Sequence, residues 1–275
     1  MTLPPAALVG HGLAARVVDD GGERVLWIHG YTLDSSIWEE LWGYLPGWRH
    51  VGLDLPGHGS SGPLQLGERL PELARRVGAV AAEHDVRHVI GLSWGGMIAL
   101  QVAIECPETV ATLTLGSPAV GGGPQDTHAR TRNLELARLY RTRGAGPWMS
   151  ELWMRSPPDI FKGAATHPEL WLRLRALIDR HSWSELGDSR MSDLTTHPQR
   201  TEALARIRAA TLVIVGEEDM PAFKRCAELL RRTIPRCQRV YCTGAGHLCL
   251  LEAAAAVSPL LKAHLRTGAR PSAQR

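Results

Sequence analysis

No stretch of the chain approaches the roughly 18 uninterrupted apolar residues that a membrane-crossing helix needs, so no bilayer-spanning segment is expected. Neither sign of charge dominates: 31 Lys and Arg against 28 Asp and Glu leave a formal net charge of +3. So small an excess, with the arginines scattered rather than run together, gives no reason to expect nucleic acid or an anionic membrane as a partner. Cysteine is scarce. The five present (Cys106, Cys226, Cys237, Cys242 and Cys249) are odd in number and lack C-x-x-C spacing, which suits reduced structural thiols in a cytoplasmic protein and gives no metal site. Residues 1–5, Met-Thr-Leu-Pro-Pro, have neither the basic start nor the apolar run of a signal peptide. Missing too are a G-x-G-x-x-G after the first strands and a Walker loop, so no nucleotide or other cofactor is expected.

What remains is an ordinary globular composition of 275 residues, 44% hydrophobic and 21% charged, enough for one large domain with a substantial core. Short β-branched runs alternate with longer helical stretches, the pattern of a parallel sheet covered on both faces. The candidate strands are 6–9, 14–18, 25–29, 50–54, 88–92, 111–116, 211–216 and 239–242. The helices between them are 36–44, 67–83, 94–105, 222–233 and 248–265, with Asp34 as a side-chain cap ahead of the first. From 117 to about 208 the alternation stops. That region opens on Gly121-Gly122-Gly123-Pro124, has helical stretches at 130–142, 147–154, 169–181 and 201–207, and holds four of the nine tryptophans, Trp148, Trp153, Trp171 and Trp183. It reads as a helical cap (117–208) inserted into a core of residues 1–116 and 209–266, lying over the carboxyl ends of the strands, where ligands bind in open α/β sheets. Residues 267–275, rich in Gly, Pro, Ser, Ala and Arg, read as a disordered tail.

The stretch with most chemistry in it is Gly91-Leu92-Ser93-Trp94-Gly95. It follows a short apolar strand and precedes a good helix former, the setting of a nucleophile elbow, in which a strained turn lifts the serine hydroxyl clear of the sheet. Side chains at 91 and 95 would crowd the helix against the strand, which is why glycine suits both. The competing reading is an ordinary strand-to-helix turn with Ser93 as helix N-cap.

A serine nucleophile needs a base within reach and a third group to orient that base. Thr211-Leu212-Val213-Ile214-Val215-Gly216 reads as a buried parallel strand with Glu217-Glu218-Asp219 at its carboxyl end; Asp219 is the chosen acid, with Glu217 and Glu218 as near alternatives. After the last strand, the loop Thr243-Gly244-Ala245-Gly246-His247 carries His247, the chosen general base. The order Ser, Asp, His along the chain fits the elbow. Two N–H groups must meet the oxyanion. Trp94, directly after the serine, supplies one, and Tyr31, in Trp27-Ile28-His29-Gly30-Tyr31 at a strand end, the other. His29 and His58 are read as ordering their loops rather than as bases.

Together, His29-Gly30, Asp54-Leu55-Pro56-Gly57-His58-Gly59-Ser60, Gly91-Leu92-Ser93-Trp94-Gly95-Gly96, Gly216-Glu217-Glu218-Asp219 and Gly244-Ala245-Gly246-His247 resemble the α/β-hydrolase superfamily. The resemblance covers roughly residues 6–116 and 205–266. It implies an eight-stranded, mostly parallel sheet, a Ser93–Asp219–His247 triad and no cofactor. A serine at 93 departs from the haloalkane dehalogenase and epoxide hydrolase branches, which carry an aspartate there. Gly91-Leu92-Ser93-Trp94-Gly95-Gly96-Met97 is most similar to small bacterial esterases and enol-lactonases, implying acyl transfer on a carboxylic ester or lactone of modest size. Trp148, Met149, Trp153 and Met154 are candidate pocket residues for an apolar group of that substrate, although packing of cap on core explains such residues equally well. A C–C bond hydrolase acting on a vinylogous diketone, a thioesterase or acyltransferase, and a non-hydrolytic ligand-binding member of the fold stay open beside the esterase.

Overall fold

The computed structural model describes residues 3–268; the tail expected at 267–275 falls, from 269 on, outside the described residues. Strands β1 (Ala7–Gly10), β2 (Leu13–Asp19), β3 (Arg24–Ile28), β4 (Arg49–Asp54), β5 (Val86–Leu92), β6 (Thr112–Gly116), β7 (Ala210–Gly216) and β8 (Cys237–Cys242) form one sheet, in the order β1-β2-β4-β3-β5-β6-β7-β8. The β1–β2 and β2–β4 pairs are antiparallel. From β4 through β3 to β8 every pair is parallel. The eight-stranded, mostly parallel α/β sheet read from the sequence is therefore the sheet of the fold.

A parallel sheet needs both faces covered, and the period of two along each strand divides the core accordingly. Leu26 and Ile28 of β3, Val89 of β5 and Val213 and Val215 of β7 join one apolar layer. Their neighbours Val25, Trp27, Ile90, Leu212 and Ile214 join the other. Helix α1 (Glu39–Gly43) packs in the second layer, while α2 (Leu70–Glu83) and α3 (Trp94–Glu105) pack in the first. Residues 94–103 of α3 are all buried, as expected of a helix apolar on every side.

Between β6 and β7 the chain makes α4 (Thr127–Arg143), α5 (Pro147–Trp153), α6 (Pro168–Asp179), α7 (Arg190–Thr195) and α8 (Thr201–Leu204), and no strand of the sheet. Leu136, Met149, Phe161, Leu174 and Trp183 carry this segment into the second apolar layer. Buried Arg132 stitches it internally, donating to the carbonyls of Leu152, Arg155 and Pro157. Helix α9 (Pro221–Thr233) follows β7; α10 (Cys249–Glu252) and α11 (Ala254–Arg266) follow β8. Among the described residues no helix is long and apolar enough to cross a membrane.

Several helix limits differ from the sequence reading. The stretch at 36–44 is a 3-10 turn, Ser35–Trp38, running into α1. α2 begins at Leu70 rather than 67, because Gly67 turns with φ +75°. The run at 248–265 is two helices parted at Ala253, whose φ of −126° breaks the helical path. The helix at 201–207 stops at Leu204, and α7 had no periodic signal.

Candidate active site

The groups singled out by sequence converge at the carboxyl ends of β3, β5, β7 and β8. Ser93, between β5 and α3, has φ +55° and ψ −115°, a region that costs a non-glycine residue about 1–3 kcal/mol. Its neighbours hold it there: its N–H donates to Gly116 O, and its carbonyl accepts from Met97 N and Ala119 N. The turn requires helix and strand to touch. A Cβ on Gly95 would lie 2.2 Å from His29 O, and one on Gly91 2.4 Å from Gly95 O. The Ser93 side chain makes no capping bond to α3.

That hydroxyl instead lies 2.8 Å from His247 Nε2. His247 Nδ1 lies 2.9 Å from Asp219 Oδ1, which also accepts the Met220 N–H at 2.7 Å. Asp219 and His247 are almost fully buried, at 3% and 1% exposure, whereas Glu217 and Glu218 point into solvent. A tight turn, Asp219 N–H to Gly216 O, swings the third acidic residue inward. With Nδ1–H donating to a carboxylate, the lone pair of Nε2 is left facing the serine hydroxyl. The ring of Phe223 lies 4.1 Å from the imidazole, centroid to centroid, and shields it from water.

Trp94 opens α3, and the first N–H groups of a helix have no acceptor within it. Gly30, just before Tyr31, abuts the elbow: a Cβ there would sit 3.7 Å from Ser93 Cβ. The Tyr31 and Trp94 rings meet edge-on at 5.9 Å. The Tyr31 hydroxyl donates at 2.5 Å to Glu185 Oε1, which also meets His181 Nε2 at 3.0 Å. Burial, followed by the Glu185 charge, pushes the Tyr31 phenol well above its ordinary pKa, so it stays a donor.

His29 and His58 share one arrangement. The Nε2 of each accepts a backbone N–H, from Leu55 and Thr32 respectively, and the Nδ1 of each faces a carbonyl, of Gly30 and Pro56. Both rings are thereby fixed as the neutral tautomer, and burial first of all lowers both pKa values. Asp34 accepts the Ser36 N–H as a cap and pairs with Arg180 at 2.8 Å. Burial works against its charge, yet Ser36 and Arg180 outweigh it and hold the pKa below the usual value.

The four candidate pocket residues separate. Met149 is wholly buried in the apolar layer and Met154 nearly so. Trp148 lies under the Arg143 guanidinium and donates to Gly144 O. Trp153 alone of the four has a polar contact with the loop after β3, donating to Thr32 Oγ1 at 2.8 Å. A cavity of about 320 Å3 opens beside that loop, lined by Thr32, Asp34, Gly57, Arg180, His181 and Ser182 among others; Ser93 and His247 are not in its wall. Glu185, His181 and Glu252, all within this neighbourhood, were not singled out from sequence. Glu185 meets Tyr31 only through tertiary packing; the bonds of Glu252 to Gly246 and Leu248 and of His181 to Glu185 are local, but no motif announces them. Among the described residues no group of three or more His, Cys, Asp and Glu side chains could hold a metal.

Comparison with known proteins gives these elements a context. The family model described as "Alpha/beta hydrolase family" matches residues 25–260. A Cupriavidus necator protein, the dihydrolipoyllysine-residue acetyltransferase component of an acetoin cleaving system, is 29% identical over 263 residues, covering 92% of this chain and 67% of that protein. The 2-succinyl-6-hydroxy-2,4-cyclohexadiene-1-carboxylate synthase of Serratia proteamaculans is 26% identical, covering 82% of this chain and 90% of its own. Among solved structures, a thermophilic esterase from Thermogutta terrifontis superposes with a TM-score of 0.75 at 24% identity, over 94% of this chain and 95% of that one.

Proposed function

The chain belongs to the α/β-hydrolase family, and from that premise we propose that it is a serine hydrolase cleaving a small to medium carboxylic ester or lactone through an acyl-enzyme on Ser93. The observation that carries this reading is the continuous relay from Asp219 Oδ1 through His247 to Ser93 Oγ, with links of 2.9 and 2.8 Å. Ser93 attacks the carbonyl carbon while His247 Nε2 takes its proton. Asp219 keeps the ring in the required tautomer and stabilises the imidazolium. The oxyanion is met by the N–H groups of Tyr31 and Trp94. His247 then protonates the leaving alcohol, and the same ring activates the water that frees the acid.

Residues 117–208 act in this reading as a cap, with Trp153 reaching the loop after β3. The rings of Trp94 and Trp153, both edge-on to Tyr31 at the loop after β3, support an apolar group on the substrate. The five free thiols support a reducing, cytoplasmic setting. A second reading, in which the site serves a synthase rather than a hydrolase, draws on the similarity to the Serratia synthase over 82% of this chain and 90% of that protein. Turnover on a panel of p-nitrophenyl esters, lactones, thioesters and vinylogous diketones separates the hydrolytic chemistries, and labelled Ser93 with no turnover on any of them favours the second reading. The expected result is hydrolysis of short esters or lactones, with at least a ~10³-fold loss of kcat in Ser93→Ala. Ester turnover unchanged by that substitution would sink the mechanism.

A further inference from the structure

Glu252 ends α10, five residues after His247, and is 8% exposed. Its carboxylate straddles the histidine: Oε2 accepts the Gly246 N–H at 2.5 Å, and Oε1 accepts the Leu248 N–H at 3.0 Å. The backbone on either side of the imidazole is thus tied to one side chain. Beside Gly246 the segment between β6 and β7 closes on the carboxylate, since a Cβ placed on Gly163 would lie 2.2 Å from Oε2 and 2.6 Å from the carboxyl carbon. A buried charge costs several kcal/mol unless it is matched, and two N–H groups already match this one. Burial pushes the Glu252 pKa up; the two N–H groups and the charges of His247 and His167 pull it back. Cys242 and Cys249 also face this carboxyl group, and burial raises both thiols, so they add no charge. Asp219, from the end of β7, faces His247 on its other nitrogen.

We propose that Glu252 is a positioning residue for His247: its carboxylate grips the backbone on both sides of the ring, and its negative charge favours the imidazolium formed when Ser93 gives up its proton. The inference rests on the reading of His247 as general base. No bond to substrate is involved, so the effect falls on the chemical step rather than on binding.

The test compares wild type with Glu252→Gln and Glu252→Asp, each shown to be folded by circular dichroism, on an ester that wild type turns over. In Glu252→Gln, whose amide N–H clashes with one backbone donor, kcat is expected to fall about ten- to a hundredfold with KM within about threefold. The acidic limb of its pH–rate profile is expected to move to lower pH, because the imidazolium has lost an attractive charge. Glu252→Asp keeps the charge but shortens the reach; kcat falls while the limb stays at its wild-type position. Hydrogen exchange of the peptide spanning 246–248 is faster in both variants. Wild-type kcat with an unmoved limb in Glu252→Gln would overturn the inference, as would unchanged exchange. If wild type itself turns over no ester, the hydrolase reading fails, and the exchange measurement still decides whether Glu252 holds the loop.

Discussion

Ser93, Asp219 and His247 could be found in the sequence because each stands beside a strand end with glycines around it, and the geometry of an elbow permits few residue types there. The choice of Asp219 over its two glutamate neighbours was a matter of register. The turn closed by Asp219 N–H to Gly216 O leaves Glu217 and Glu218 exposed and brings the third acid under the imidazole. Glu185 was not legible because its partner Tyr31 lies 154 positions before it; the partners of Glu252 are close in sequence, but they are backbone N–H groups, which no residue pattern marks. Asp219→Asn is expected to lower kcat by about 10³–10⁴-fold with the fold retained, while Glu218→Gln leaves the rate within about twofold of wild type. Steady-state kinetics on both variants, beside their circular dichroism spectra, checks the assignment.

At the scale of elements, the strands were easier to read than the helices. A buried parallel strand is a short apolar run with few alternatives, so β3, β5 and β7 matched to within a residue or two. A helix was misjudged where the backbone changes course without a glycine or proline to mark it, at Ala253 between α10 and α11, and another where Gly67, inside the run read as helix, turns the chain first. Inside α11, Pro259 removes a donor that Ala255 O would otherwise meet, and Ser258 Oγ takes that carbonyl at 3.1 Å. The contact of α3 with the end of β3 is an exacting junction. In Gly95→Ala the added methyl would sit 2.2 Å from His29 O and 2.4 Å from Ile28 O. The helix and the elbow must therefore move. Stability is expected to drop by about 2 kcal/mol or more, with activity falling further than stability. A urea titration run alongside the ester assay measures both.

Over the whole molecule, the two apolar layers were implied by the alternation along β3, β5 and β7, but the sheet order was not, since strand partners are set by crossovers rather than local pattern. The interior also holds several histidines kept neutral chiefly by burial: His29, His50, His58 and His88 have lowered pKa values, His50 to about 4. Unfolded, each binds a proton near pH 6.5; folded, each does so only at lower pH. The unfolded state therefore holds more protons in that window, and stability is full above about pH 6.5 and drains as pH falls towards 4. His50 alone withdraws up to about 3 kcal/mol. Urea midpoints measured from pH 7.5 to 4.5 should fall steadily, and fall less in His50→Gln; a flat profile for wild type would contradict the burial account.

Hydrolysis by the acyl-enzyme route requires Ser93 to become covalently acylated, and intact-mass spectrometry after treatment with a fluorophosphonate reads the reactivity of that serine. One phosphonyl group per chain is expected, mapped to the peptide that carries Ser93, absent in Ser93→Ala and strongly slowed in His247→Gln. An enzyme that turns over esters at full rate while Ser93 takes up no phosphonyl group would contradict that route.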